Sequence, residues 1–148
     1  MNKIILKKAI MSDFEEVAAL ERGANSKTYY GLTDEKELKD FIKNEQVFLI
    51  KEKNIVLGLV AYRITKKNIP HINGLIIKPN FRGRGIAKEA MIIILKKIAK
   101  YPQIELEVHP RNTSAVRLYL ALGFVIEAWK DNCFGDGEPR LKLAISKK

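Results

Sequence analysis

The chain has 148 residues, enough for one domain with a sizeable core. It is 47% hydrophobic and 30% charged, a balance that excludes wholesale disorder, and no apolar run approaches the roughly 18 residues of a membrane span. The net charge of +10 comes from basic residues spread along the chain, so it favours polyanionic partners without choosing among nucleic acid, a polyphosphate-bearing cosubstrate and an acidic protein.

The opening segment, Met1 to Ile10, carries lysines but no apolar stretch of signal-peptide type, and a cytoplasmic protein is expected. Ile4 and Leu6 suggest a short first strand. Ser12-Asp13-Phe14-Glu15 has the spacing of a capping box and predicts a helix to about Arg22. A polar loop with Tyr29 and Tyr30 follows, and Thr33 is placed to cap a second helix with Leu38, Phe41 and Ile42 on its inner face. Strands are predicted over 46–51, 55–65 and 71–78, the first two joined by a tight turn at Lys53-Asn54. A long helix to about Lys100 follows, with Ala87, Ala90, Met91, Ile94, Leu95 and Ile98 as its buried stripe. The alternation of 103–109 reads as a strand, and 112–122 as a helix stopped by Gly123. A closing hairpin of 125–130 and 140–145 surrounds a loop that carries Cys133, the single cysteine, so neither an internal disulfide nor a metal site is expected. The order is β-α-α-β-β-β-α-β-α-β-β, an α/β chain with a mixed sheet and helices on its faces. No repeat or linker divides it, so residues 1–148 are read as one domain.

The stretch between the third of the central strands and the long helix is KPNFRGRGIAKEAM, residues 78–91. Strand, glycine turn, helix is a geometry for anions. The first N–H groups of a helix lack internal partners, and the helix dipole is positive there. Glycines let a phosphate approach those groups, and Arg82, Arg84 and Lys88 add positive charge. A P-loop is excluded because no Gly-Lys-Ser/Thr follows, and the dinucleotide fingerprint is excluded because Lys88 stands at its sixth position. A plain turn with surface arginines is the alternative on the glycines alone.

Arg82-Gly83-Arg84-Gly85-Ile86-Ala87 resembles the Arg/Gln-x-x-Gly-x-Gly/Ala motif of the GNAT superfamily of acyl-CoA N-acyltransferases, with Pro79 three residues before it. Asn112, Ala115, Tyr119 and Gly123-Phe124, in NTSAVRLYLALGF, resemble the second signature of the same superfamily. The resemblance covers the whole element order and is motif-specific from about Asn73 to Phe124. It implies the GNAT fold, a central, mostly antiparallel mixed sheet flanked by helices, and acetyl-CoA as cosubstrate. It also implies that Gly83 through Lys88, with Ile86 and Ala87 opening the helix, hold the pyrophosphate of coenzyme A. Leu75, Ile76 and Ile77 would hold the acyl-pantetheine arm, and Asn112 would touch that arm.

Amide formation from a thioester needs a neutral amine, donors for the oxyanion and a proton for the thiolate. Alternation puts Glu105, Glu107 and His109 on one face of their strand, which by itself is equally a polar outer face. LEVHPRNTSAVRLYLALGF is similar to the corresponding segment of ribosomal-protein-alanine N-acetyltransferases. That resemblance implies Glu107 as base and Tyr119 as acid. His109 is read as a strand-end polar residue, and Cys133 offers no acyl-enzyme route, so direct transfer is expected.

An α-amine has a pKa of about 7.7–8.0 and a lysine of about 10.4, so near pH 7.5 roughly a third of α-amines but only about a thousandth of lysines are neutral. One modest base therefore suits a protein N-terminus, as the resemblance also implies. A small amine (polyamine, amino acid or antibiotic) is the alternative, because Cys133-Phe134 stands where those enzymes tend to carry paired tyrosines. A non-catalytic acyl-CoA or nucleic-acid-binding module is the remote third reading. No basic stripe with interleaved aromatics is present, and neither nucleic acid nor a membrane is an expected partner. A monomer or a homodimer is expected.

Overall fold

The structure, a computed structural model, describes residues 4–146, so the first three residues of the opening segment and the last two of the chain lie outside it. The elements are β1 Ile5–Lys8, α1 Phe14–Ala24, α2 Glu35–Asn44, β2 Gln46–Glu52, β3 Ile55–Ile64, β4 Pro70–Ile77, α3 Ile86–Lys97, β5 Gln103–Val108, α4 Thr113–Ala121, β6 Val125–Lys130 and β7 Arg140–Ser146. Short 3-10 turns at Met11–Asp13 and Pro79–Phe81 precede α1 and the glycine turn. The expected order is therefore observed. The seven strands form one sheet in the order β1-β2-β3-β4-β5-β7-β6, antiparallel throughout except for the parallel pair β4 and β5.

Both faces of the sheet are covered, which explains the near-continuous apolar runs of β2 and β3. On one face Val17, Ala18 and Leu20 of α1 and Leu38, Phe41 and Ile42 of α2 pack on Val47, Leu49, Leu59, Ala61 and Ile76. On the other, Ile86, Ala90, Met91 and Ile94 of α3 pack with Tyr119 and Phe124 on Phe48, Ile50, Val60, Ile72, Ile104 and Leu106. The stripe of α3 is turned slightly from the predicted one. Ile86 is buried, while Ala87 and Leu95 are only half-buried.

Two capping expectations are corrected. Ser12 does not cap α1. It lies inside the 3-10 turn, and Asp13, at the N-cap position, makes no capping bond either; its Oδ2 accepts from Ile10 N–H and Lys7 Nζ, each at 2.9 Å. Asp34 rather than Thr33 caps α2, its Oδ2 accepting from Glu37 N–H at 3.0 Å, because a carboxylate is the stronger acceptor. Asn112 occupies the N-cap position of α4, but its side chain makes no capping bond. The end of α4 is as expected. Phe124 N–H donates to Tyr119 O at 3.0 Å and Gly123 N–H to Leu120 O at 3.1 Å, with Gly123 at φ 104°. This is a Schellman closure, and it brings the Tyr119 and Phe124 rings to 5.7 Å, so the spacing Tyr-x-x-x-Gly-Phe has a packing reason.

Of the strands with a register shift, β4 is the one that shapes the gap. Ala61 pairs with Gly74 but the next residue, Tyr62, pairs with Ile72, so Asn73 is a bulge. The bulge shifts the phase of the side chains. Ile72, Leu75 and Ile77 all face α3, while Ile76 faces α1. Beyond the bulge β4 also leaves β5, since the two strands pair only at His71–Glu105 and Ile72–Leu106. The rest of β4 is held on β3 alone. There Gly58 matters, because a Cβ at that position would sit 1.9 Å from the Ile76 carbonyl oxygen. Gly58→Ala is expected to push β4 off β3 and cost about 1–3 kcal/mol in urea unfolding. Gly23→Ala, with nothing within 4 Å of the new Cβ, is expected to be neutral or to stabilise α1 by up to roughly 1 kcal/mol.

Candidate active site

The glycine turn has the geometry its sequence implies. Gly83 and Gly85 lie at φ 78° and 76°, the left-handed region, and Gly85 is the N-cap of α3. A Cβ at either would meet nothing within 4 Å, so the glycines serve conformation and open space rather than close packing. The first N–H to bond back into the helix is that of Glu89, to Gly85 O at 3.1 Å. The N–H groups of Gly83, Gly85, Ile86, Ala87 and Lys88 donate to no group among the described residues. Arg82 braces the turn, its Nε donating to Ile77 O at 3.1 Å, and Arg84 lies over the Phe81 ring at 5.3 Å.

The turn rims a cleft of about 470 Å³. Leu75, Ile76, Ile77, Arg82, Gly83, Gly85, Ile86, Ala87 and Lys88 line it from one side, and Asn112, Ser114, Ala115 and Leu118 from α4 and its approach. Arg84, expected to join them, is turned onto Phe81 and lies outside the lining. Where β4 parts from β5, the Leu75 and Ile77 backbone groups lose their ladder partners. Leu75 N–H is taken by the Tyr29 hydroxyl at 3.3 Å and Ile77 O by Arg82. The intervening Ile76 pairs with Leu59 of β3, so of the three expected residues Leu75 and Ile77 present backbone groups to the gap.

A second cavity, of about 290 Å³, joins the cleft at Thr28, Tyr29, Leu75, Asn112 and Ala115, which line both. The gap between β4 and β5 thus connects the two faces of the sheet. Glu107 and Tyr119 line this second cavity. Glu107 rises from β5 on the α1 side, opposite Ile104, Leu106 and Val108, while Tyr119 reaches it from α4. His71 of β4 stands between two carboxylates, Nε2 at 2.8 Å from Glu107 Oε1 and Nδ1 at 3.2 Å from Glu105 Oε1. Lys130 and Lys142 close the row, each 3.6 Å from the outer oxygens of Glu107 and Glu105. His109 is structural: its Nδ1 accepts from Arg111 N–H at 3.0 Å and its Nε2 donates to Glu138 at 2.8 Å. Phe134 sits 5.3 Å from Tyr30 and stacks on the Arg140 guanidinium at 4.8 Å, and the loop after β6 and the loop after α1 both border the cavity.

The acetyltransferase (GNAT) family model matches residues 11–124. The chain belongs to this family. It is therefore an acetyl-CoA-dependent N-acetyltransferase that acts on an amine. The ribosomal-protein-S18-alanine N-acetyltransferase of Escherichia coli superposes with a TM-score of 0.81 at 15% identity, over 97% of this chain and 94% of that one. A spermidine N-acetyltransferase of Vibrio cholerae, in complex with CoA and spermine, gives 0.80 at 21% identity over 97% and 95%. An N-acetyltransferase of Staphylococcus aureus gives 0.83 at 20% identity over 97% of each chain. No curated protein sequence matches significantly. These likenesses fix the fold and leave the acceptor open.

The electrostatics of this acetyltransferase separate its carboxylates. Burial pushes the Glu107 carboxyl up, but the His71 hydrogen bond and charge, with Lys130, more than offset it and hold Glu107 below the usual range. Burial drives the Tyr119 hydroxyl well above its ordinary value, so it stays a protonated donor. Glu21 behaves oppositely to Glu107. Burial in the cavity wall, against a lowering bond from Leu32 N–H and a raising charge from Glu45, pushes it up to about 7. Sequence reasoning missed Glu21. The signal was present, because spacing from Phe14, Val17 and Ala18 places an acid on the apolar stripe of α1. It also missed His71, which reads only as a strand residue.

No helix among the described residues is long and apolar enough to cross a membrane, and no cluster of metal-ligating side chains is found among them. Two outcomes follow from the geometry. Gly85→Glu, which places an anion where the free N–H groups converge, is expected to abolish acetyl-CoA binding in calorimetry while the circular dichroism spectrum is kept. Because the folded pKa of Glu21 is raised, the stability it contributes is fully present below the ordinary value of 4.5 and is lost as pH rises toward about 7. Glu21→Gln is therefore expected to match wild type near pH 4 and to exceed it near pH 8 by up to roughly 3 kcal/mol in denaturant unfolding.

Proposed function

We propose that the chain acetylates a small cationic amine. The observation that carries this reading is the acidic lining of the second cavity, Glu21, Glu45 and Glu107, in a protein of net charge +10. Arg63 and Arg140 line the same cavity, but Arg140 is paired with Asp136 at 3.1 Å and Arg63 is exposed, so three carboxylates brought to one cavity from α1, the end of α2 and β5 speak for a positively charged acceptor. The volume of about 290 Å³ suits a short chain. A protein N-terminus, the first expectation from the motif segment, stands second. The shared fold with a ribosomal-protein-alanine acetyltransferase supports it no more than the shared fold with a spermidine acetyltransferase supports the first.

In this reading the acetyl thioester is supplied by acetyl-CoA. The N–H groups of Gly83 and Gly85 through Lys88 hold its pyrophosphate, with Arg82 bracing the turn, Arg84 adding charge nearby and Asn112 bordering the arm. Leu75 N–H meets the carbonyl oxygen in place of the Tyr29 hydroxyl, which is the exchange of one neutral acceptor for a developing oxyanion. Glu107 is ionised at neutral pH and so holds the ammonium. A primary amine with a pKa of about 10.4 does not yield its proton to so weak a base at rest. The small fraction bound as the neutral amine, its ammonium proton having passed to solvent, therefore makes the attack; once the C–N bond has formed the nitrogen is acidic, and Glu107 takes this second proton directly or through a water. Tyr119 O–H gives a proton to the departing thiolate.

Purified protein with labelled acetyl-CoA and a size-fractionated extract from cells lacking the gene tests the reading. Label is expected in small amines. Label confined to protein N-termini would replace this reading with the second. In the same assay Tyr119→Phe is expected to lower kcat about ten- to a thousand-fold with acetyl-CoA affinity unchanged; unchanged turnover would make Tyr119 a packing residue.

A further inference from the structure

Glu21 is more buried than any other carboxylate among the described residues, at 2% exposure. Its Oε1 accepts from Leu32 N–H at 2.9 Å, which ties the loop after α1 back to the helix. Its Oε2 is buried and has no partner. Buried polar atoms are nearly always hydrogen-bonded, and a buried carboxylate left half-satisfied is costly. The fold does not require the second oxygen, because a glutamine at this position would accept from Leu32 equally well. Glu45, which borders the same cavity, adds like charge and makes the ionised form costlier still. A group kept at such a cost, on the wall of a cavity, is suited to a donor that arrives from outside.

The chemistry of that donor follows from the neighbours. The cavity already offers Glu107 at β5, and Glu21 comes from a different element, α1. Of the basic groups in the lining, Arg140 is held by Asp136 at 3.1 Å and by the Phe134 ring, His71 by Glu105 and Glu107, and His109 by Glu138, while the charge of the exposed Arg63 acts on Glu45. We propose that the Oε2 of Glu21 binds a second ammonium of the acceptor, so that the substrate is a terminal diamine or polyamine, with one nitrogen at the Leu75–Tyr119 end and another on Glu21. This rests on the small-amine reading and deepens it. An ammonium brings three donors, and a charge-assisted bond made inside a cavity is stronger than a neutral one.

The test compares butylamine with the terminal diamine of the same carbon chain, on wild type and Glu21→Gln, with kcat and KM measured at saturating acetyl-CoA. Wild type is expected to favour the diamine by about ten- to a hundred-fold in kcat/KM. Glu21→Gln is expected to bring that ratio close to one through the KM for the diamine, with kcat within about threefold and acetyl-CoA affinity unchanged. A ratio that survives the substitution, or a loss of kcat shared by both amines, overturns the assignment while leaving the small-amine reading intact. Acetylation of neither amine by protein that binds acetyl-CoA overturns both. A second readout needs no variant: the diamine is expected to raise the melting temperature of wild type, and butylamine at equal concentration is not. Equal shifts would also overturn the assignment.

Discussion

The parting of β4 from β5 is the constraint on which the active site depends. The two parallel strands share only two residue pairs, His71–Glu105 and Ile72–Leu106, before they separate. A separated strand has backbone groups with no ladder partner, and such groups must be satisfied by something else. Here Leu75 N–H is satisfied by a tyrosine hydroxyl and Ile77 O by an arginine. Both are side-chain partners, so the main chain along the gap remains available in a way that a ladder edge is not. The bulge at Asn73 makes the arrangement possible, because it sends Leu75 and Ile77 toward α3 while Ile76 anchors the strand in the core under α1.

The same gap brings together groups from opposite faces of the sheet. Tyr119 belongs to the core around α3, yet it borders a cavity whose other walls come from α1, β4 and β5. Tyr119 and Glu107, the proposed donor and acceptor of protons, are thus held on α4 and β5 at one cavity. The two kinds of carboxylate differ in cause as well as direction. Glu107 is desolvated but sits in a row of alternating acidic and basic side chains, from Lys142 through Glu105 and His71 to Lys130. Glu21 is desolvated with a single backbone donor and an acid as neighbour. Context, not residue type, decides which carboxylate is charged at neutral pH.

Much of this was legible beforehand, for local reasons. The glycine turn needs two residues at positive φ directly before a helix, and only glycine adopts that conformation cheaply, so Gly83 and Gly85 announce it. Tyr119, Gly123 and Phe124 announce the closure of α4 in the same way. Caps were less legible. Ser12 and Thr33 both have the right chemistry, but the neighbouring Asp34 takes the cap of α2, and at Ser12 a 3-10 turn delays the start of α1 by a residue, with Asp13 bonded back to Ile10 N–H rather than forward to the helix.

The amino-acid sequence by itself determined the element order and the glycine turn at positive φ before α3, because each is encoded within a dozen or so neighbouring residues, while the family resemblance pointed to Glu107 and Tyr119, which line one cavity. Only the tertiary structure decided that Glu21 lies in the same cavity as Glu107, that His71 stands between Glu105 and Glu107, and that Arg84 turns away onto Phe81. These are contacts between distant segments or choices among rotamers. The pairing register of the strands and the desolvation of the cavity wall set them, and neither quantity is a property of any local stretch of sequence.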